Sequence, residues 1–177
     1  TQHLYYSMLD PRAQTLIDVT QISNGGGHRA WHPDIDIDSD DRIHIVWANK
    51  ASQHEILYTL LDPSLDDQDG STADDSTISI IDDTEVTRRQ QNRDWPAIAV
   101  DSQNNAHIVW EDSYDRHDKY FQQPQIYYKF LEIDEASREA ITAIDSTLLT
   151  PIIGHKGHPD IAIDADDLVQ IAWDDPR

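Results

Sequence analysis

The chain has 177 residues, 38% of them hydrophobic, which suits one ordinary domain with a modest core. It has no Cys, which excludes disulfides and thiolate metal sites. No run approaches the roughly 18 apolar residues of a membrane span, and 34 acidic against 13 basic residues give a net charge of −21. Such a surface repels nucleic-acid phosphates and anionic membranes, so neither partner is expected.

In chain order, residues 3–10 (HLYYSMLD) and 15–23 (TLIDVTQIS) read as two strands. Then comes HPDIDIDSDDRIHIVW. Ile35 and Ile37 alternate with Asp34, Asp36 and Asp38, and Ile43, Ile45 and Trp47 share a face opposite His44 and Val46. Period two means strand. Asp and Ser between the runs bond their own backbone in turns, so this is a hairpin whose first strand starts at Pro33. Two further strands follow, EILYTLLD at 55–62 and TISIIDDTEVT at 77–87.

The pattern then returns. WPAIAVDSQNNAHIVW precedes QIYYKFLE and AITAIDSTLLT, and HPDIAIDADDLVQIAW ends the chain. Pro33, Pro96 and Pro159 are spaced by 63 residues, as are Trp47, Trp110 and Trp173, and Asp38, Asp101 and Asp164. One period shared by three residue types is an internal repeat. Four strands per unit, no convincing helix and tight turns predict an all-β fold of four-stranded antiparallel propeller blades; parallel strands in a solenoid would not need such hairpins.

The Pro strand, Asp-rich turn, Trp strand and IYY strand together resemble the repeats of sialidase-like propellers and the Asp-box (BNR-type) repeats of secreted bacterial and archaeal proteins. The resemblance covers nearly the whole chain. It implies that the Pro strand is innermost in each blade and that the protein is extracellular or on a cell surface. The chain would then be a single half-ring domain, 1–177, with repeats at about 1–31, 32–94, 95–157 and 158–177: two whole blades and two complementary halves. It starts at Thr1, as a processed protein or a piece of a longer one would. Two chains head to tail would close a six-bladed homodimer.

In a propeller the segments leading into the Pro strands ring the mouth of the central channel. Here they supply His28, Arg29, Trp31, His32, Arg93, Trp95, His155 and His158. These suit an anion, a sugar or a metal, or are ordinary exposed loop residues. The resemblance also asks for Arg two residues before each Pro, to hold a substrate carboxylate. Those positions are Trp31, Asp94 and Gly157, so sialidase activity is not expected.

Other candidates have plain alternatives. Glu111 with Asp112, and Asp174 with Asp175, are carboxylate pairs of the kind glycoside cleavage needs, or solvated acids after a strand. Ca²⁺ is the one cofactor the sequence admits, at Asp38, Asp40 and Asp41 or at Asp164, Asp166 and Asp167; turn chemistry accounts for the same residues without it. The acidic stretch 66–75 fails the EF-hand spacing. The repeated Trp residues predict core packing, and His44, His107 and Gln170 a partly buried hydrogen-bonding position. The insertion 111–124 offers Tyr114, Arg116, His117, Tyr120 and Phe121 as a contact surface. The sequence thus favours a non-catalytic module that binds a carbohydrate or protein, or serves as a scaffold. The competing readings are part of a sialidase-like glycoside hydrolase or lyase, and a structural repeat of a large cell-surface protein.

Overall fold

The computed structural model describes residues 2–23, 29–50, 54–65, 78–87, 92–113, 124–134, 136–137, 139–151 and 154–176. His28, the acidic stretch 66–77 and residues 114–123 of the long insertion lie outside them. Among the described residues there are twelve strands and one short 3-10 turn, Pro63–Leu65.

The strands form four antiparallel sheets, with chain neighbours paired throughout. β1 (Tyr5–Leu9) and β2 (Thr15–Gln21) make a two-stranded sheet. A four-stranded sheet follows, of β3 (Ala30–Ile37), β4 (Ile43–Asn49), β5 (Glu55–Leu61) and β6 (Ser79–Glu85). β7 (Asn92–Val100), β8 (Ala106–Ser113), β9 (Gln125–Asp134) and β10 (Glu139–Leu148) form its twin. β11 (Gly157–Ile163) and β12 (Val169–Asp174) close the series as a second two-stranded sheet.

Burial explains why the sheets stack. Strands covered on both sides read as continuous apolar runs, and every residue of β4 and β5 is buried. Ile43, Ile45 and Trp47 meet Leu4, Tyr6 and Ile17 of the first sheet. On the other face, Val46, Ala48 and Tyr58 meet Ile98, Ile108 and Trp110. Ala97, Ala99 and Val109 then pack on Ile161, with Ile163 and Ile171 beside them. β3 lies along β7 and β7 along β11, whereas β6 and β10 barely touch, so the sheets fan out from their first strands.

The hairpin turns are built alike. Asp41, Asn104 and Asp167 take left-handed backbone angles, with φ of 61°, 65° and 58°, which Asp and Asn tolerate best after Gly. Asp38 is buried and accepts hydrogen bonds from the N–H groups of Asp40 and Arg42 and from the Arg42 Nε. Its Oδ2 also meets His44 Nε2 at 3.1 Å. Asp101 and Asp164 repeat the backbone bonds. Successive turns are also latched together: Ser39 donates through N–H and Oγ to Asn104, and Ser102 donates likewise to Asp167.

Donors occupy the carboxylates of Asp38, Asp40, Asp164 and Asp167 among those the sequence offered to Ca²⁺, and no group of three or more metal-ligating side chains is assembled among the described residues. EDTA is therefore expected to lower the melting temperature by less than about 2 °C, equivalent to under ~1 kcal/mol. A fall of about 10 °C that Ca²⁺ reverses would assign the turns to the ion.

One expectation needs correcting. The strands carrying Pro33, Pro96 and Pro159 begin upstream of the proline: β3 at Ala30, β7 at Asn92 and β11 at Gly157. Trp31 pairs with Ala48 and Asp34 with Val46, which leaves His32 and Pro33 opposite the single residue Trp47. The same skip places Trp95 and Pro96 opposite Trp110, and His158 and Pro159 opposite Trp173. Two residues facing one is a β-bulge, and a bulge accommodates a proline because no ladder bond is asked of its nitrogen.

Candidate functional site

The three bulges build the site. His32, Trp95 and His158 have φ of 47°, 49° and 46°, a left-handed conformation that costs a bulky residue of order 1–3 kcal/mol. The same strain at the same place in three sheets is a built feature, and a bulge re-aims the side chain that it carries. Here it brings three rings into one row. The His32 imidazole stacks on the Trp95 indole, with centroids 3.7 Å apart and planes 15° apart. Trp95 meets His158 edge-on at 4.5 Å, and Trp31 meets His32 edge-on at 5.7 Å.

Carboxylates fix these rings. His32 Nδ1 lies 2.6 Å from Asp94 Oδ1, so the ring N–H donates to it. Asp94 also pairs with the Lys50 ammonium, which sits 5.1 Å over the Trp31 ring. His158 Nδ1 lies 2.8 Å from Asp174 Oδ2, and this bond raises the His158 pKa above its ordinary value.

Glu111 enters from β8. Burial raises its pKa, while His155 and the His158 N–H pull it back. Its carboxylate and that of Asp174 converge on Gly157. A Cβ there would lie 2.9 Å from Glu111 Oε2, 3.1 Å from Asp174 Oδ1 and 3.3 Å from His155 Cε1. Glycine at 157 thus leaves open the space that the two acids share.

Of the sequence candidates, Trp31, His32, Trp95 and His158 are brought together, with His155 beside Gly157. Arg29 ties the chain at the strand end: its N–H bonds Asn49 Oδ1 and its carbonyl accepts the Lys50 N–H. Arg93 is not at the surface. It is buried, with its Nε 3.0 Å from Asp112 Oδ2. Lys156 and Asp175 repeat that internal pair one period later, at 2.9 Å.

The adjacent acids therefore do not act as pairs. Glu111 and Asp174 face the site, while Asp112 and Asp175 turn inward to Arg93 and Lys156. Neighbours on a strand point to opposite faces, so two adjacent acids do not face one site. Lys50 and Asp94 were absent from the sequence candidates. The repeat could have found Asp94, which holds the place of Trp31 and Gly157; nothing in the sequence marked Lys50. The predicted hydrogen-bonding position is present away from the site, where His44 and His107 each join an Asp to a Tyr hydroxyl.

No family model matches this chain, and no curated protein matches it. Among solved structures, it is similar to the endo-arabinase from Bacteroides thetaiotaomicron VPI-5482, with a TM-score of 0.49 and 14% sequence identity. The match covers 93% of this chain and 57% of that one, so the chain spans little more than half the length of that protein.

Proposed function

We propose that residues 1–177 form a section of a β-propeller whose mouth binds a neutral carbohydrate without cleaving it. The observation that carries this reading is the ring row His32, Trp95 and His158, held by three equivalent bulges and edged by Asp94, Glu111 and Asp174. Indole and imidazole rings suit the C–H faces of a sugar, and carboxylates accept from its hydroxyls. Lys50 is already paired with Asp94 and His158 with Asp174, and Arg93 is buried against Asp112, so the site has little spare positive charge for an acidic sugar. The reading is tested by calorimetric titration with neutral and uronic oligosaccharides of equal length. Trp95→Ala is expected to weaken the neutral ligand about tenfold or more, as loss of an aromatic anchor does. Unchanged affinity in that variant, or tighter binding of the uronic series, counts against it.

One observation favours a hydrolytic second reading. Glu111 and Asp174 come within about the same short distance of one point, too close for the water that an inverting pair about 6.5–9.5 Å apart encloses. Glu111, whose pKa burial raises, would be the acid and Asp174 the nucleophile. A chromogenic oligosaccharide separates the two readings: if the site cleaves, the unchanged chain turns it over and Glu111→Gln abolishes that turnover, whereas a site that only binds shows no turnover in the unchanged chain.

A further inference from the structure

The imidazoles of this fold fall into two kinds. His44 and His107 are satisfied on both nitrogens: Nε2 meets Asp38 or Asp101, and Nδ1 meets the hydroxyl of Tyr58 or Tyr128. An ionised carboxylate only accepts, so in these two rings Nε2 carries the proton and Nδ1 is the acceptor. His32 and His158 are the reverse. Their Nδ1 atoms meet Asp94 at 2.6 Å and Asp174 at 2.8 Å, and among the described residues none bonds Nε2. With Nδ1 as the donor, a neutral ring keeps its lone pair at Nε2.

The repeat does not supply this arrangement. Asp94 holds the place of Trp31 and Gly157, whereas Asp174 holds that of Ala48 and Glu111. Asp94 also reaches His32 from the neighbouring sheet, while Asp174 lies in the same sheet as His158. Two imidazoles at equivalent bulges thus obtain one tautomer from carboxylates at unrelated positions.

The surroundings of His32 leave one edge of its ring for a ligand. Trp95 covers one face and Trp31 meets the ring edge-on. The Nδ1 edge belongs to Asp94, and the side chain is 25% exposed. Asp94 is engaged on both oxygens: Oδ1 accepts from His32 and from the Trp95 N–H at 3.1 Å, and Oδ2 from the Lys50 ammonium.

We infer that Asp94 is a positioning residue: it fixes the His32 proton on Nδ1, so that Nε2 accepts a hydrogen bond from the ligand. This role rests on the carbohydrate reading of the mouth and narrows the ligand to a sugar that presents a free hydroxyl at His32. An O-methylated or glycosidically substituted oxygen has no proton to donate and would face Nε2 lone pair to lone pair.

The tautomer can be read without any ligand. Imidazole nitrogen NMR at about pH 8.5, where an ordinary histidine is neutral, should find the His32 proton on Nδ1. Asp94→Ala should no longer hold it there, whereas Asp94→Asn, whose amide oxygen still accepts, and Lys50→Met should keep it. A proton on Nε2 in the unchanged chain, or a tautomer that Asp94→Ala does not move, overturns the assignment. Calorimetry at the same pH with a neutral oligosaccharide then tests the acceptor. His32→Phe keeps a ring on Trp95 and removes Nε2, so it should weaken binding about tenfold, the worth of one hydrogen bond. Asp94→Ala should weaken it similarly, and Asp94→Asn should restore most of the loss. Equal affinity in His32→Phe and the unchanged chain overturns the acceptor role. If the unchanged chain binds no neutral oligosaccharide, the carbohydrate reading fails together with the hydroxyl selectivity, while the tautomer still decides what Asp94 does.

Discussion

Trp110→Ala is expected to cost about 3–5 kcal/mol, the range for emptying an aromatic site in a packed core. Trp110 is 1% exposed and lies between two sheets, with Ile98, Ile108 and Tyr58 in the same cluster. Its ring also stacks on Tyr127, with centroids 5.9 Å apart and planes 17° apart. Trp47→Ala should cost as much, because Trp47 is wholly buried against the first sheet. Trp173→Ala, at the half-exposed copy of the site, should cost under about 1 kcal/mol in a dilute sample, as surface changes do. Urea unfolding of the three variants measures the contrast. Equal costs at all three positions would mean that burial between sheets is not what these residues share.

The second large effect belongs to Asp38. Its carboxylate is fully buried and takes donors from Arg42, Asp40 and His44. Burial alone would raise its pKa, but these bonds together with the Arg42 charge hold it below the ordinary value. Asp38→Asn removes the charge while Arg42 stays buried, and breaking a buried pair in this way costs about 3–5 kcal/mol. The pH dependence follows from the direction of the shift. A carboxyl depressed in the folded state contributes its full stability above its unfolded pKa and loses it as pH falls through the folded value. The gap between wild type and variant should therefore be largest near neutral pH and shrink below about pH 4. A gap that grows on acidification would show that Asp38 is not held as the anion.

Much of the fold was legible because its signals are local. Period-two alternation marked strands such as β3 and β4, and the 63-residue spacing placed β7, β8, β11 and β12 at equivalent positions. Trp47 and Trp110 could be assigned to the core because a large ring that recurs on an apolar strand face must be covered by a neighbouring sheet. The site was less legible for one geometric reason. A bulge adds a residue and so reverses which face the preceding side chains take. Simple alternation carried through Pro96 gives no reason to bury Arg93, yet Arg93 meets Asp112 inside and Asp94 meets His32 in the row of rings. Glu111 and Asp174 come from β8 and β12, and no sequence spacing announces that they share the space at Gly157. Lys50 reaches Asp94 across two sheets, a contact that only the stack creates.

The order of the sheets has a consequence for how the chain comes apart. Each sheet packs mainly on the one before it and the one after it, so stability is close to a sum of nearest-neighbour terms, as in a linear array of repeats. Opening should then start at an end and spread inward, without one global step. The ends are not equal. β1 and β2 anchor through Leu4, Tyr6, Ile17 and Ile22, all buried, whereas Pro159 and Ile161 are the buried apolar side chains of β11 and β12. Amide exchange should therefore run fastest in β11 and β12, slower in β1 and β2, and slowest in β4, β5 and β8, where the chain has a sheet on either side.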